Sequence, residues 1–72
     1  MRVRLLELQF TFRVEHALTD QVTVTFNSSE QMVECTCFLY SGAFKGKTYR
    51  TSIAPSQEYA DRLGQQFLRG LT

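Results

Sequence analysis

The sequence predicts an α+β domain, a four-stranded antiparallel meander with one C-terminal helix packed on one face (ββββα). Three observations carry this expectation. Apolar and polar residues alternate in several runs as far as Ile53, the two-residue period of half-buried strands. Pro55 and Ser56 then interrupt the alternation, and the remaining apolar residues recur at three- and four-residue steps, the spacing of a helix. The segments between the alternating runs are short, which favours antiparallel neighbours over crossover connections.

The first run is the longest. From Arg2 to Glu15, Leu6, Leu8, Phe10, Phe12 and Val14 fall on one face and Glu7, Gln9, Thr11, Arg13 and Glu15 on the other. Val3 and Leu5 sit on the polar side at its start, where a bulge or bend is expected. A strand of this length exceeds the usual five or six residues, so its free edge is a candidate for pairing with another chain. Ala17–Asp20 reads as a loop in which Thr19 and Asp20 offer side-chain bonds to the backbone. Val22, Val24 and Phe26 alternate with Thr23 and Thr25 in a second, β-branched strand. After a turn at Asn27–Glu30, a third strand runs from about Gln31 to Tyr40. It sets Val33, Cys35, Cys37 and Leu39 on one face and Met32, Glu34, Thr36, Phe38 and Tyr40 on the other. Ser41-Gly42 and Gly46 break the pattern, and Lys47 to Ile53 reads as the fourth strand.

Pro55 stops the sheet, Ser56 is a suitable N-cap, and Glu58 complements the positive end of the helix dipole. Tyr59, Ala60, Leu63, Phe67 and Leu71 form the helical stripe. Gly64 lies on that stripe and is expected to let the helix approach the sheet closely, and Gly70 is expected to end the helix.

Seventy-two residues make one small domain spanning the chain (1–72). A chain this short buries only about 60% of its unfolded surface. Hydrophobic residues at 43%, charged residues at 21% and a net charge of +1 describe an ordinary globule with no overall pull toward nucleic acid or acidic membranes. The charge is uneven. Residues 1–43 set Arg2, Arg4 and Arg13 against Glu7, Glu15, Asp20, Glu30 and Glu34; residues 44–72 set Lys45, Lys47, Arg50, Arg62 and Arg69 against Glu58 and Asp61. The N-terminal alternation leaves no continuous apolar segment of the kind a secretory signal needs, and no run approaches the roughly 18 apolar residues of a membrane span. Two cysteines without a targeting segment fit a reducing compartment, so a cytoplasmic location is expected, with no membrane partner.

Three apparent chemistries dissolve on inspection. Cys35 and Cys37 lie on the same face of a strand about 6.6 Å apart along the chain, too far for ready bridging. With His16 as the only other soft ligand they do not complete a structural metal site, so they are read as small packing residues. His16 itself has no second catalytic group in sight and reads as a loop residue. Gly42-Ala43-Phe44-Lys45-Gly46-Lys47-Thr48 imitates a phosphate-binding loop, but only three residues separate its glycines and a strand follows where a helix should open. No catalytic residue, metal or cofactor is expected.

One helix covers one face, and Leu6, Leu8, Phe10, Phe12, Val22, Val24, Phe26, Cys35 and Cys37 are its natural partners. Met32, Phe38, Tyr40 and Phe44 are then left without cover, and contiguous exposed apolar residues mark interfaces. These four are the expected protein-binding residues of a non-enzymatic interaction or regulatory module. It is expected to act as a homodimer or by docking on a larger protein, through the open sheet face and an edge strand. The alternative is a single-stranded RNA or DNA binder that uses the aromatic-basic hairpin around residues 38–50, with Lys45, Lys47, Tyr49 and Arg50 as contacts.

Overall fold

The alternation becomes four strands in a computed structural model of the chain, which describes residues 7–27, 31–51 and 55–71. The strands are β1 (Glu7–Arg13), β2 (Gln21–Asn27), β3 (Met32–Phe38) and β4 (Phe44–Arg50), followed by the helix α1 (Gln57–Arg69). All neighbours are antiparallel and the sheet order is β1-β2-β3-β4. The fold is therefore the expected ββββα meander.

Register assigns every strand residue to a face. Phe10 stands opposite Val24, Val24 opposite Cys35, and Cys35 opposite Lys47, so one row of the helix side runs from phenylalanine through valine and cysteine to lysine. On the other face, Thr11, Thr23, Thr36 and Gly46 form the corresponding row. Val22, Val24, Phe26, Val33, Cys35 and Cys37 meet Ala60, Leu63 and Phe67 of α1 to make the core. Edge-to-face contact between Phe10 and Phe26, with centroids 5.9 Å apart, and a tilted contact of Tyr59 on Phe26 at 5.9 Å fill its β1 side.

The helix begins where the sequence places it. The Tyr59 amide donates to the Ser56 hydroxyl at 3.1 Å, satisfying one of the open N–H groups of the first turn. Gly64 faces the sheet, and a Cβ there would stand 3.3 Å from Val22 Cγ1 and 3.8 Å from Val24 Cγ2. Close approach of the helix to β2 is thus the use of this glycine. Gly70 ends the helix differently from a left-handed cap: its φ is −84° and its amide bonds back to the Phe67 carbonyl at 3.1 Å, a tightened last turn.

Several expected boundaries move. β1 ends at Arg13, although Val14 continues the ladder by one bond, and the expected bulge at Val3 and Leu5, together with Leu6, lies outside the described residues. β3 ends at Phe38 rather than Tyr40, and β4 (Phe44–Arg50) begins three residues before the expected Lys47, while the expected end at Ile53 lies outside the described residues. The reason is the turn. Leu39 donates to the Ala43 carbonyl at 2.8 Å, Gly42 donates to the Leu39 carbonyl at 2.8 Å, and Gly42 has φ +96°. This is a three-residue hairpin loop with glycine at its positive-φ position. Gly42 alone supplies the turn, so Gly46 stays inside the strand opposite Thr36.

Gln31 is the other positive-φ position among the described residues, at +53°, and it lacks a glycine's freedom. It closes the β2–β3 connection, and its carbonyl accepts from the Thr51 amide at 3.0 Å, a bond that any residue can supply. A left-handed L-residue costs about 1–2 kcal/mol, partly offset in glycine by a more flexible unfolded chain, so Gln31→Gly should stabilise the domain by roughly 0.5–1 kcal/mol. A rise in the denaturant midpoint at unchanged slope is the expected reading.

Candidate functional site

Threonine is the commonest residue on the open face of the sheet. Thr11, Thr23, Thr25, Thr36 and Thr48 occupy it with Gln9, Glu34 and Arg50, and the Thr11 and Thr23 hydroxyls approach to 3.4 Å. One corner departs from this. Phe38 and Phe44 pair at the mouth of the β3–β4 hairpin, their ring centroids 4.9 Å apart at an interplanar angle of 60°. Both are exposed, at 67% and 56%, and Tyr40 in the loop beyond them is exposed at 66%.

The corner is held from behind by a residue whose full role the sequence did not reveal. Thr19 is completely buried, and its hydroxyl donates to the Phe38 carbonyl at 2.7 Å. The Tyr40 amide donates to the Leu18 carbonyl at 2.8 Å, so the β1–β2 loop is fastened to the end of β3 on both sides of Leu39. His16 shapes the same loop: its Nδ1 accepts the Leu18 amide at 3.0 Å, which commits that nitrogen to a structural acceptor role. Local bonding by Thr19 is legible in the sequence, but the span to Phe38 depends on where β3 ends.

Of the four residues expected to bind protein, Phe38 and Phe44 are brought together and Tyr40 lies in the loop between their strands. Met32 is set apart. It is half-buried opposite Arg50 and Asn27 at the far end of β3, about 20 Å along the strand from Phe38. The aromatic-basic group is likewise divided. Lys45, Lys47 and Tyr49 occupy the helix side of β4, whereas Phe44 and Arg50 occupy the open side at opposite ends of the strand. Tyr49 packs against the core, and Lys47 Nζ lies 5.3 Å from its ring centroid.

Leu8 also departs from expectation, being 48% exposed although it shares the helix side with Phe10 and Phe12. The helix lies over β2 and leans on β1 and β3, so the outer flank of β1 is incompletely covered.

Two clefts adjoin these surfaces. One, of about 210 Å³, runs along the open face between Gln21, Thr23, Thr36, Phe38 and Phe44. The other, of about 250 Å³, lies between β4 and the end of α1, lined by Lys45, Lys47, Tyr49, Gln66, Phe67 and Leu71. Both fall below the roughly 300 Å³ at which small-molecule sites begin. Among the described residues no cluster of three or more His, Cys, Asp or Glu could hold a metal ion, and no helix is long and apolar enough to cross a membrane.

Cys35 and Cys37 are buried and unbonded. Burial, aided by the nearby Glu34 charge, pushes the Cys35 thiol up to about 11. Burial raises Cys37 as well, against the opposing effects of the nearby Thr19 hydroxyl and the charge of Lys45. A nucleophilic thiol needs the opposite shift, toward thiolate at neutral pH. Comparison with protein-family models, with curated proteins and with solved structures gives no significant match.

Two outcomes follow from this geometry. Thr19→Val leaves the Phe38 carbonyl without its buried donor, so the domain should lose about 1–3 kcal/mol in chemical denaturation. The thiol shift sets a pH dependence. The unfolded chain ionises Cys35 near the ordinary value of 9.0 and the folded chain only near 11, so stability is complete below pH 9 and falls between the two. Tyr49, raised by burial and then by Cys35, acts in the same direction. An unfolding free energy that stays flat across this window would contradict the assignment.

Proposed function

We propose that this chain is a small non-enzymatic interaction module that docks on a larger protein through the Phe38–Tyr40–Phe44 corner of its open sheet face. The observation that carries the proposal is the Phe38–Phe44 pair: two phenyl rings in contact with each other, each more than half exposed, on a face otherwise made largely of threonines and other polar residues. Exposed apolar residues scattered singly are ordinary, but a rigid contiguous aromatic group rimmed by polar residues has the make-up of an interface centre. The bonds from Thr19 and Tyr40 fix the corner in advance, which lowers the entropy lost on docking. Small clefts, thiols held neutral and a histidine nitrogen engaged in its own loop support the non-enzymatic reading. Two free thiols suit a reducing, cytoplasmic setting.

The single-stranded nucleic acid alternative needs stacking rings and cations on one surface. Here Lys45 and Lys47 lie on the opposite face from Phe38 and Phe44, which favours the protein partner.

The test is capture from the native host on immobilised wild-type chain and on the F38A/F44A variant, with nuclease treatment and a salt series. Loss of the ring pair costs the fold about 0.5–1.5 kcal/mol, so the variant should remain folded. A protein partner that survives nuclease on the wild type and is lost from the variant is the expected result. Equal capture by both chains overturns the surface assignment. Nuclease-sensitive binding that falls steeply with salt replaces the proposal with the nucleic acid alternative.

A further inference from the structure

Among the described residues β1 and β4 are the edge strands of the sheet, and the two edges differ. Val14 donates to the Asp20 carbonyl at 2.9 Å across the β1–β2 ladder, so by antiparallel alternation Leu8, Phe10 and Phe12 exchange backbone bonds with β2. The amides and carbonyls of Gln9 and Thr11, with those of Glu7 and Arg13, therefore point to the outer edge of β1. Along that edge, Leu8 is half exposed and Phe10 and Phe12 are partly buried on the helix side.

We propose that β1 pairs edge to edge with β1 of a second copy of this chain, antiparallel and centred on Phe10, giving a two-fold dimer with one continuous eight-stranded sheet. Centring on Phe10 sets Gln9 opposite the second copy's Thr11, with the outward backbone groups of both forming the ladder. Leu8 then stands opposite the second copy's Phe12 and Phe10 opposite its own counterpart, as the closer pairs without backbone bonds, where side chains pack most tightly. Glu7 takes the position opposite the second copy's Arg13, twice by symmetry, so an acidic residue meets a basic one at each end. The whole of β1 is self-complementary in this register.

Two other registers are worse. A shift of one residue in the pairing sets outward backbone groups against inward ones and apolar residues against polar ones. A slide that centres the pair on Thr11 places Glu7 opposite the second copy's Glu15. The β4 edge does not offer the same chance, because self-pairing centred on Gly46 sets Lys45 against Lys47, and centring on Lys47 sets lysine against lysine. With the Phe10 register both helices lie on the same side of the joined sheet. A shared row of Leu8, Phe10 and Phe12 then runs down the seam and covers the flank that each helix leaves open.

The dimer shares with the proposed function the reading of this chain as an interaction module. It uses a different surface, so the two stand or fall separately. Sedimentation equilibrium of the wild-type chain up to high micromolar concentration tests it, with R13E, the swap E7R/R13E, Gln9→Pro and F38A/F44A alongside. A wild-type dimer is expected. R13E replaces two attractive end pairs by two repulsive ones and should weaken association about tenfold, and the swap should restore it. Gln9→Pro removes an amide that points away from β2, so its circular dichroism should stay that of a folded sheet while the dimer is lost. F38A/F44A should dimerise as the wild type does, whatever its effect on docking. A monomeric wild-type chain, equal association by R13E, or a swap that fails to restore it overturns the proposal.

Discussion

Coverage is the constraint on which the structure depends. A helix is about 10–12 Å across with its side chains, and strands lie about 4.8 Å apart. One helix can therefore sit squarely on two strands and lean on a third, and a fourth strand remains at the margin. Here α1 lies over β2, with Gly64 at the point of closest approach to Val22 and Val24. The small residues of the contact, Ala60 and Gly64 on the helix and Cys35 on the sheet, keep the layers close at its centre. Each margin then takes a different character. Leu8, Phe10 and Phe12 form a half-covered apolar flank on one side, and Lys45 and Lys47 form a solvated one on the other.

The same constraint explains why the open face is threonine-rich. With no second layer available, its residues must tolerate water while favouring extended backbone, and threonine does both. Against that background the Phe38–Phe44 pair is a departure, and it sits where the Thr19 hydroxyl and the Tyr40 amide fasten the β1–β2 loop to the end of β3.

Fold class, element order and the helix stripe were legible because each rests on a periodicity, which survives small errors in where an element starts. Ser56 and Gly64 were legible for a related reason: capping and close approach are local demands that residue type answers directly. What escaped depended on register. Gly42 alone makes the turn, so Phe44 to Gly46 belong to β4, and alternation along the strand sends neighbouring residues to opposite faces. Lys45, Lys47 and Tyr49 thus separated from the rings with which they had been grouped. Met32 shared a face with Phe38 in sequence and in structure, but alternation carries no information about distance along the strand. The Thr19 bond to Phe38 could not be read because it joins residues 19 positions apart.

The marginal position of β4 has a dynamic side. Apart from the half-buried Tyr49, its side chains are exposed, and Gly46 within it contributes none. Detaching it therefore uncovers little apolar surface, whereas detaching β2 or β3 opens the whole core. On this ground β4 should open at lower free energy than the unit of β1, β2, β3 and α1. Because every strand pairs with its neighbour in sequence, β4 recloses through a short loop, and opening and closing are fast relative to global unfolding.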